Sequence, residues 1–250
     1  MTRIDEIVDG VYRIASHTKD FPISFNQFLI DDERPALVHT GMAPMYEDVK
    51  KAIKQVLDPA RLAYVILLHF EGDECGGMER FIEQAPAAHL VGCDLSAQLN
   101  LCSFDFACQG RVTGKRDGDT IDLGRHKLKF LETPHVHHWD SMMVWEEKTR
   151  SLFPSDLFIQ PGDQPPVVKE DLSGVMCDLY RHTGIFAHEN PVRGVVDRVQ
   201  ALQPQWVHAM HGGTLNAEVF PRYAAALREQ TFAYNGMLMG RPLDMGKTFS

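Results

Sequence analysis

The sequence predicts an α/β fold built in layers, with two sheets and outer helices. Three observations predict it. Short apolar runs of strand length alternate with segments of helical spacing. The alternation falls into two similar blocks, each closing in helices, which favours two sheets over a single parallel one. The 250 residues, 44% of them apolar, suit one domain (residues 1–250) with a sizeable core.

The first quarter reads as short strands. Residues 8–14 alternate weakly around an Asp9-Gly10 turn. Residues 25–30 and 36–39 are apolar runs flanking Asp31-Asp32-Glu33-Arg34-Pro35, a hairpin signal. Residues 45–57 put Val49, Ile53, Val56 and Leu57 at helical spacing and stop before Pro59. A buried strand follows at 64–68. Residues 78–84 form a short helix ending near Pro86, 89–92 a strand, and Asp94 offers a cap for a helix over 95–101. Strands return at 120–123, at 128–131 after a Gly124 turn, and at 142–145 and 151–153. The last two are joined by the charged turn Glu146-Glu147-Lys148-Thr149-Arg150. A Pro/Gly/Asp loop occupies 160–166. Helices are expected at 171–187 and 192–202, a strand at 206–210 and a final helix at 217–230. The last twenty residues read as mixed surface structure.

Bulk chemistry narrows the function. Lys and Arg total 25 against 34 Asp and Glu, a formal charge of -9, and no basic run is present. This argues against nucleic-acid or membrane-surface partners. No apolar stretch is long enough to span a membrane, and the N-terminus carries no signal-like segment. Five cysteines (Cys75, Cys93, Cys102, Cys108, Cys177) form an odd set without a Cys-x-x-Cys pair, so free thiols are expected. A cytoplasmic location is the expectation.

The chemistry concentrates at strand ends. His69, Glu71 and Asp73 alternate directly after the apolar run 64–68. Further ligand-type groups sit in Pro134-His135-Val136-His137-His138, Pro154-Ser155-Asp156 and His208-Ala209-Met210-His211-Gly212-Gly213. Any one of these could be a solvated turn, a cap or a core histidine. Four strand ends that each present an imidazole or carboxylate point instead to a two-metal site, since buried groups of this kind need a partner or a metal. The set lacks the Cys/His pattern of a closed structural zinc site. Three carboxylates (Glu71, Asp73, Asp156) and three imidazoles (His69, His137, His211) supply three ligands per ion, with one carboxylate free to bridge. Such donors with open positions suit O₂-handling iron, or manganese.

These motifs resemble the metallo-β-lactamase superfamily, and within it the flavodiiron proteins. Asp9-Gly10-Val11-Tyr12, residues 26–31 and Ala36-Leu37-Val38-His39-Thr40-Gly41 are similar to the superfamily's opening strands. Its hydrolases carry His-x-His-x-Asp-His; Glu71 in place of the second His is what the di-iron branch uses. His137-His138-Trp139-Asp140-Ser141-Met142 resembles the flavodiiron His-Trp-Pro-Asp-Ser-Met segment. Asp156 resembles the bridging carboxylate, and His211-Gly212 the last ligand. The resemblance implies an αββα sandwich of two mixed sheets with outer helices. It implies two iron ions: one on His69, Glu71 and His137, the other on Asp73 and His211, bridged by Asp156. His39 stands where the superfamily has Asp, and Glu74 where the di-iron branch has His. Glu74, His138 and His39 are expected behind the ligands, although Glu74 could itself bind an ion.

Flavodiiron proteins carry a flavodoxin domain with FMN. No such unit follows here, so the expectation is no FMN and an external electron donor or a signalling partner. The chain is then similar to oxygen-binding di-iron proteins that take up O₂ or NO, as sensor, carrier or reductase component. Trp139 and Phe70 are candidates to limit access to the irons. The alternative is a metal-dependent hydrolase of thioesters, lactones or phosphoesters acting through a metal-bound hydroxide. An oligomer is compatible with either reading.

Overall fold

The computed structural model describes residues 2–242. The first sheet comprises β1 (Thr2–Val8), β2 (Val11–His17), β3 (Ser24–Ile30), β4 (Ala36–Val38), β5 (Tyr64–Ile66), β6 (His89–Cys93) and β7 (Val112–Lys115), hydrogen-bonded in that order. β1 to β4 pair antiparallel, and β4 to β7 parallel. Helical segments make the crossovers: α1 (Tyr46–Ile53) before β5, α2 (Gly72–Cys75) and α3 (Met78–Gln84) before β6, α4 (Asp94–Leu99) and α5 (Asp105–Cys108) before β7.

The second sheet contains β8 (Thr120–Asp122), β9 (Lys127–Glu132), β10 (Met142–Glu146), β11 (Ser151–Phe153), β12 (Val167–Val168), β13 (Trp206–Val207) and β14 (Thr214–Asn216). Their order across it is β12-β14-β13-β11-β10-β9-β8. Helices α6 (Ser173–Thr183), α7 (Glu189–Ala201) and α8 (Phe220–Glu229) follow, with a small hairpin of β15 (Met237–Leu238) and β16 (Arg241–Pro242).

The two-residue period of a strand sorts the core into three layers. Phe28, Val38, Ile66 and Val91 of the first sheet meet Phe130, Val144 and Phe153 of the second. Their strand neighbours Leu29, Leu37, Val65 and Leu90 face the other way, onto Val49, Ile53 and Phe81 of the helices. Leu152, Val207 and Leu215 pack on Met176, Tyr180, Val196, Tyr223 and Leu227. The order is helices, sheet, sheet, helices, the expected αββα sandwich. Each such fully buried side chain contributes about 1.5–3 kcal/mol of transfer free energy.

The differences from the sequence reading are local. β5 and β4 stop at Ile66 and Val38, earlier than read, so His39 and the residues from Leu67 on belong to loops. β13 likewise stops at Val207, and the chain bends toward His211. β1, β7, β12 and β14 went unread because their sequences lack a clean alternation. α6 ends at Thr183, short of 187, because Gly184 takes a left-handed conformation and its N–H bonds Tyr180 O at 2.9 Å. α7 starts earlier than 192, with the His188 ring accepting from Asn190 N. Asp94 does not cap a helix; it begins α4, and its carboxylate takes Arg116 at 2.6 Å. Of the last twenty residues, 243–250 lie outside the described residues.

Candidate metal centre

The loops after β5, β9, β11 and β13 converge, and each carries one of the expected ligand clusters. Donor atoms of His69, Glu71, His137 and Asp156 lie within 4.8 Å of one another, and so do those of Asp73, Glu74 and His211. Asp156 sits between the two groups. Its Oδ2 is 2.9 Å from His137 Nε2 and 3.5 Å from His69 Nε2, while its Oδ1 is 3.4 Å from His211 Nε2. Glu71 Oε2 is 3.0 Å from His69 Nε2 and 3.3 Å from His137 Nε2. Asp73 Oδ2 is 3.5 Å from His211 Nε2. All six expected ligands are thus brought together.

Local structure aims these groups. Glu71 occupies the position before α2, so one short helical turn presents Glu71, Asp73 and Glu74 from a single segment. His69 Nδ1 lies 2.6 Å from Ser155 Oγ, which turns Nε2 inward. His211 Nδ1–H donates to Ser24 O at 2.7 Å, which leaves Nε2 as the nitrogen that faces the carboxylates and would bind an ion. Gly212 follows at φ 95, where an added Cβ would collide with Gln160, so the turn after His211 requires glycine. The Gly212 carbonyl accepts from Asn26 Nδ2 at 2.8 Å and from the fully buried Arg13 at 2.5 Å. Tyr180 O–H donates to Asp156 O at 2.8 Å.

The electrostatics are those of acids and imidazoles packed without another cation. Burial opposes protonation of His137, but Asp156 and Glu71 outweigh it and raise its pKa to about 10. Burial likewise opposes charge on His211, and Asp156 and Asp73 carry it up to about 9. Burial works against the Asp156 carboxylate, yet His137 and His211 hold its pKa well below the usual range. Glu71 is lowered by His137 and His69. Glu74 is the exception: burial, then Asp156 and Asp73, push it well above the carboxylate range.

The residues expected behind the ligands divide. Glu74 is fully buried and lies within the Asp73–His211 group. His138 is partly exposed, its Nε2 3.7 Å from Glu71 Oε2. His39 is buried with its ring 6.2 Å from that of His69, and neither ring nitrogen has a hydrogen-bond partner. Trp139 is 39% exposed and Phe70 packs on Phe104, so neither lines the approach. The approach is a cavity of about 200 Å³ over Glu71, Asp73, His137, Asp156 and His211, walled by Phe21, Ile23, Ile159, Leu179, Ile185 and Met239. Sequence reasoning missed this wall, because its members come from four separate segments and look like ordinary core residues. Ser155 and Ser24 were missed for a similar reason: a serine gives no signal until its partner is placed.

The geometry suits cations: two donor groups share one carboxylate, and the fully buried Glu74 adds its oxygens, one of them 3.6 Å from His69 Nε2. The profile described as ODP family beta lactamase matches residues 23–212.

The chain belongs to that family.

Among its relatives, a nitric oxide reductase from Moorella thermoacetica is 32% identical over 62% of this chain and 41% of its own length. A rubredoxin-oxygen oxidoreductase from Megalodesulfovibrio gigas is 26% identical over the same shares. The chain therefore spans about two fifths of these relatives. In structure it is similar to the rubredoxin oxygen:oxidoreductase from Desulfovibrio gigas, with a TM-score of 0.81 at 20% identity over 91% of this chain and 61% of that one. It is also similar to the apo chemotaxis sensor ODP from T. denticola, with a TM-score of 0.77 at 18% identity over 93% and 96%. Both likenesses bear on the ODP-family fold. No helix among the described residues is long and apolar enough to cross a membrane.

Proposed function

We propose that this ODP-family chain holds two iron ions bridged by Asp156, and that the reduced pair takes up O₂ or NO. The observation that carries the reading is the position of Asp156, one carboxylate oxygen in each donor group. His69, Glu71 and His137 would hold one ion, and Asp73 and His211 the other. Iron, when bound, supplies the electrons and open coordination positions that a diatomic gas needs. The chain's own residues do the rest. Ser155 and the Ser24 carbonyl orient two imidazoles, and Tyr180 anchors the backbone of the bridging residue. The apolar wall flanks the site, and its cavity of about 200 Å³ has room for a diatomic gas.

The names of the relatives, a nitric oxide reductase, an oxygen oxidoreductase and a chemotaxis sensor, support a role with O₂ or NO. Turnover would take electrons from an external donor, whereas sensing would need a protein that reads the occupied site. The test is reconstitution with Fe²⁺ without air, followed by O₂ or NO in separate samples. A visible absorption change upon gas addition is expected. A protein that takes up only zinc, and cleaves esters without reductant, would replace this reading with the hydrolase.

A further inference from the structure

A second cavity, of about 450 Å³, opens between the edge strands β7 and β8 and shares no lining residue with the metal centre. Arg34, Tyr64, His89, Thr113, Lys115 and Asp122 line it. We infer that it binds a small phosphate monoester, with Lys115 and Arg34 on the phosphate and the Tyr64 ring against the organic part.

Three observations carry the inference. First, the strand period sets the lining. Tyr64 pairs with His89, Val91 with Thr113, and Cys93 with Lys115, so these residues and Ile66 share one face of the first sheet. Ile66, Val91 and Cys93 on that face pack against the second sheet. The same face turns polar at its corner, where Tyr64, His89, Thr113 and Lys115 gather hydrogen-bonding groups from three neighbouring strands. Second, its cations have donors to spare. The Lys115 ammonium lies 5.9 Å from the ring of the fully buried Phe130 and donates to Thr120 O at 3.3 Å. It pairs with no carboxylate among the described residues, and an ammonium has further N–H groups to give. The Arg34 guanidinium is 3.7 Å from Asp122 Oδ1, too long for a hydrogen bond, so its fork stays open to a planar or tetrahedral oxyanion. Third, the charge is local. The chain carries a formal charge of -9, yet this wall sets two cations, Arg34 and Lys115, against the single carboxylate of Asp122. An acidic protein repels anions at long range, so a site for one has to be built from groups placed together. A phosphate dianion meets both cations at once, and His89 and Thr113, 3.5 Å apart, add hydrogen-bonding groups beside them. The volume has room for an organic group as well as the phosphate.

The experiment titrates the full chain with AMP by calorimetry at fixed ionic strength. Adenosine serves as the uncharged control and inorganic phosphate as a competitor. AMP should bind saturably at one site per chain, and phosphate should displace it. Adenosine should bind at least about tenfold more weakly, as should AMP to Lys115→Met and to Arg34→Gln, each of which loses a charged hydrogen-bond donor. Lys169→Met, on a different surface, should leave the affinity unchanged. No saturable binding of AMP, or equal affinity for adenosine, would overturn the inference. So would AMP binding that survives both Lys115→Met and Arg34→Gln, since the nucleotide would then sit elsewhere, for instance at the metal centre. A loss in Lys169→Met equal to that in Lys115→Met would also overturn it, as the attraction would then be diffuse. If Lys115→Met fails to fold, Arg34→Gln still decides, because the Arg34 side chain is 51% exposed and leaves the core untouched.

Discussion

Asp156→Asn removes one carboxylate and keeps the shape of the side chain. In the metal-free chain Asp156 is buried between His137 and His211, 2.9 and 3.4 Å from their Nε2 atoms. Both imidazoles hold their protons because of it, with pKa values raised to about 10 and about 9. Breaking a buried pair from one side costs about 3–5 kcal/mol. The asparagine carbonyl can still accept from one imidazole, which keeps the cost near ~3 kcal/mol. Relief of the repulsion between Asp156 and the ionised Glu71 also keeps the cost at the lower end of that range. In a chain of this size ~3 kcal/mol lowers Tm by roughly 6–12 °C. With metal, one of the two proposed ions would lose an oxygen and the pair its bridge, so the metal content should fall below two per chain. The assays are a thermal melt in chelator and metal analysis after reconstitution. A Tm within about 2 °C of wild type, together with two retained ions, would refute the reasoning.

Other residues give independent checks. Ser155→Ala frees His69 Nδ1 and should weaken metal binding about 10–100-fold without unfolding the chain; titration calorimetry reads this, and unchanged affinity would remove Ser155 from the account. Leu179→Trp intrudes on the cavity wall. Gas binding to the reduced protein should slow about tenfold, a barrier of ~1.4 kcal/mol, at constant metal content; an unaltered rate in stopped flow would mean that ligands enter elsewhere. His208 is buried neutral between Ser151 and Thr214, and burial lowers its pKa to about 3. The unfolded chain therefore binds this proton first, so stability falls as pH drops below about 6.5, by up to ~1.4 kcal/mol per unit toward pH 3. Denaturant melts at pH 7 and pH 5 should show a smaller acid loss for His208→Gln than for wild type; equal losses would clear His208.

The layered fold was legible because strand runs such as 25–30 and 64–68 and the helical spacing of Val49 and Ile53 carry their own periodicity. The cluster of candidate ligands was legible because four strand ends each offered an acid or an imidazole, and their order along the chain resembled a known pattern. Edge strands such as β7 and β12 were not legible, since their pairing is decided by a neighbour rather than by alternation. The cavity wall was hidden for a similar reason: Phe21, Leu179 and Met239 become neighbours only after the sandwich closes. Glu74 lay between the two cases. Its proximity to Asp73 was visible in the sequence, but its burial, and the approach of its Oε2 to within 3.6 Å of His69 Nε2, belong to the tertiary structure. Trp139 shows the opposite error, a large aromatic beside a ligand motif that turns toward solvent.

The most direct test of the central claim is Mössbauer spectroscopy of protein loaded with iron-57 and oxidised in air, with metal analysis on the same sample. Two irons joined by Asp156 predict about two ions per chain and a magnetically coupled ferric pair. One iron per chain, or two uncoupled ferric signals, would contradict it.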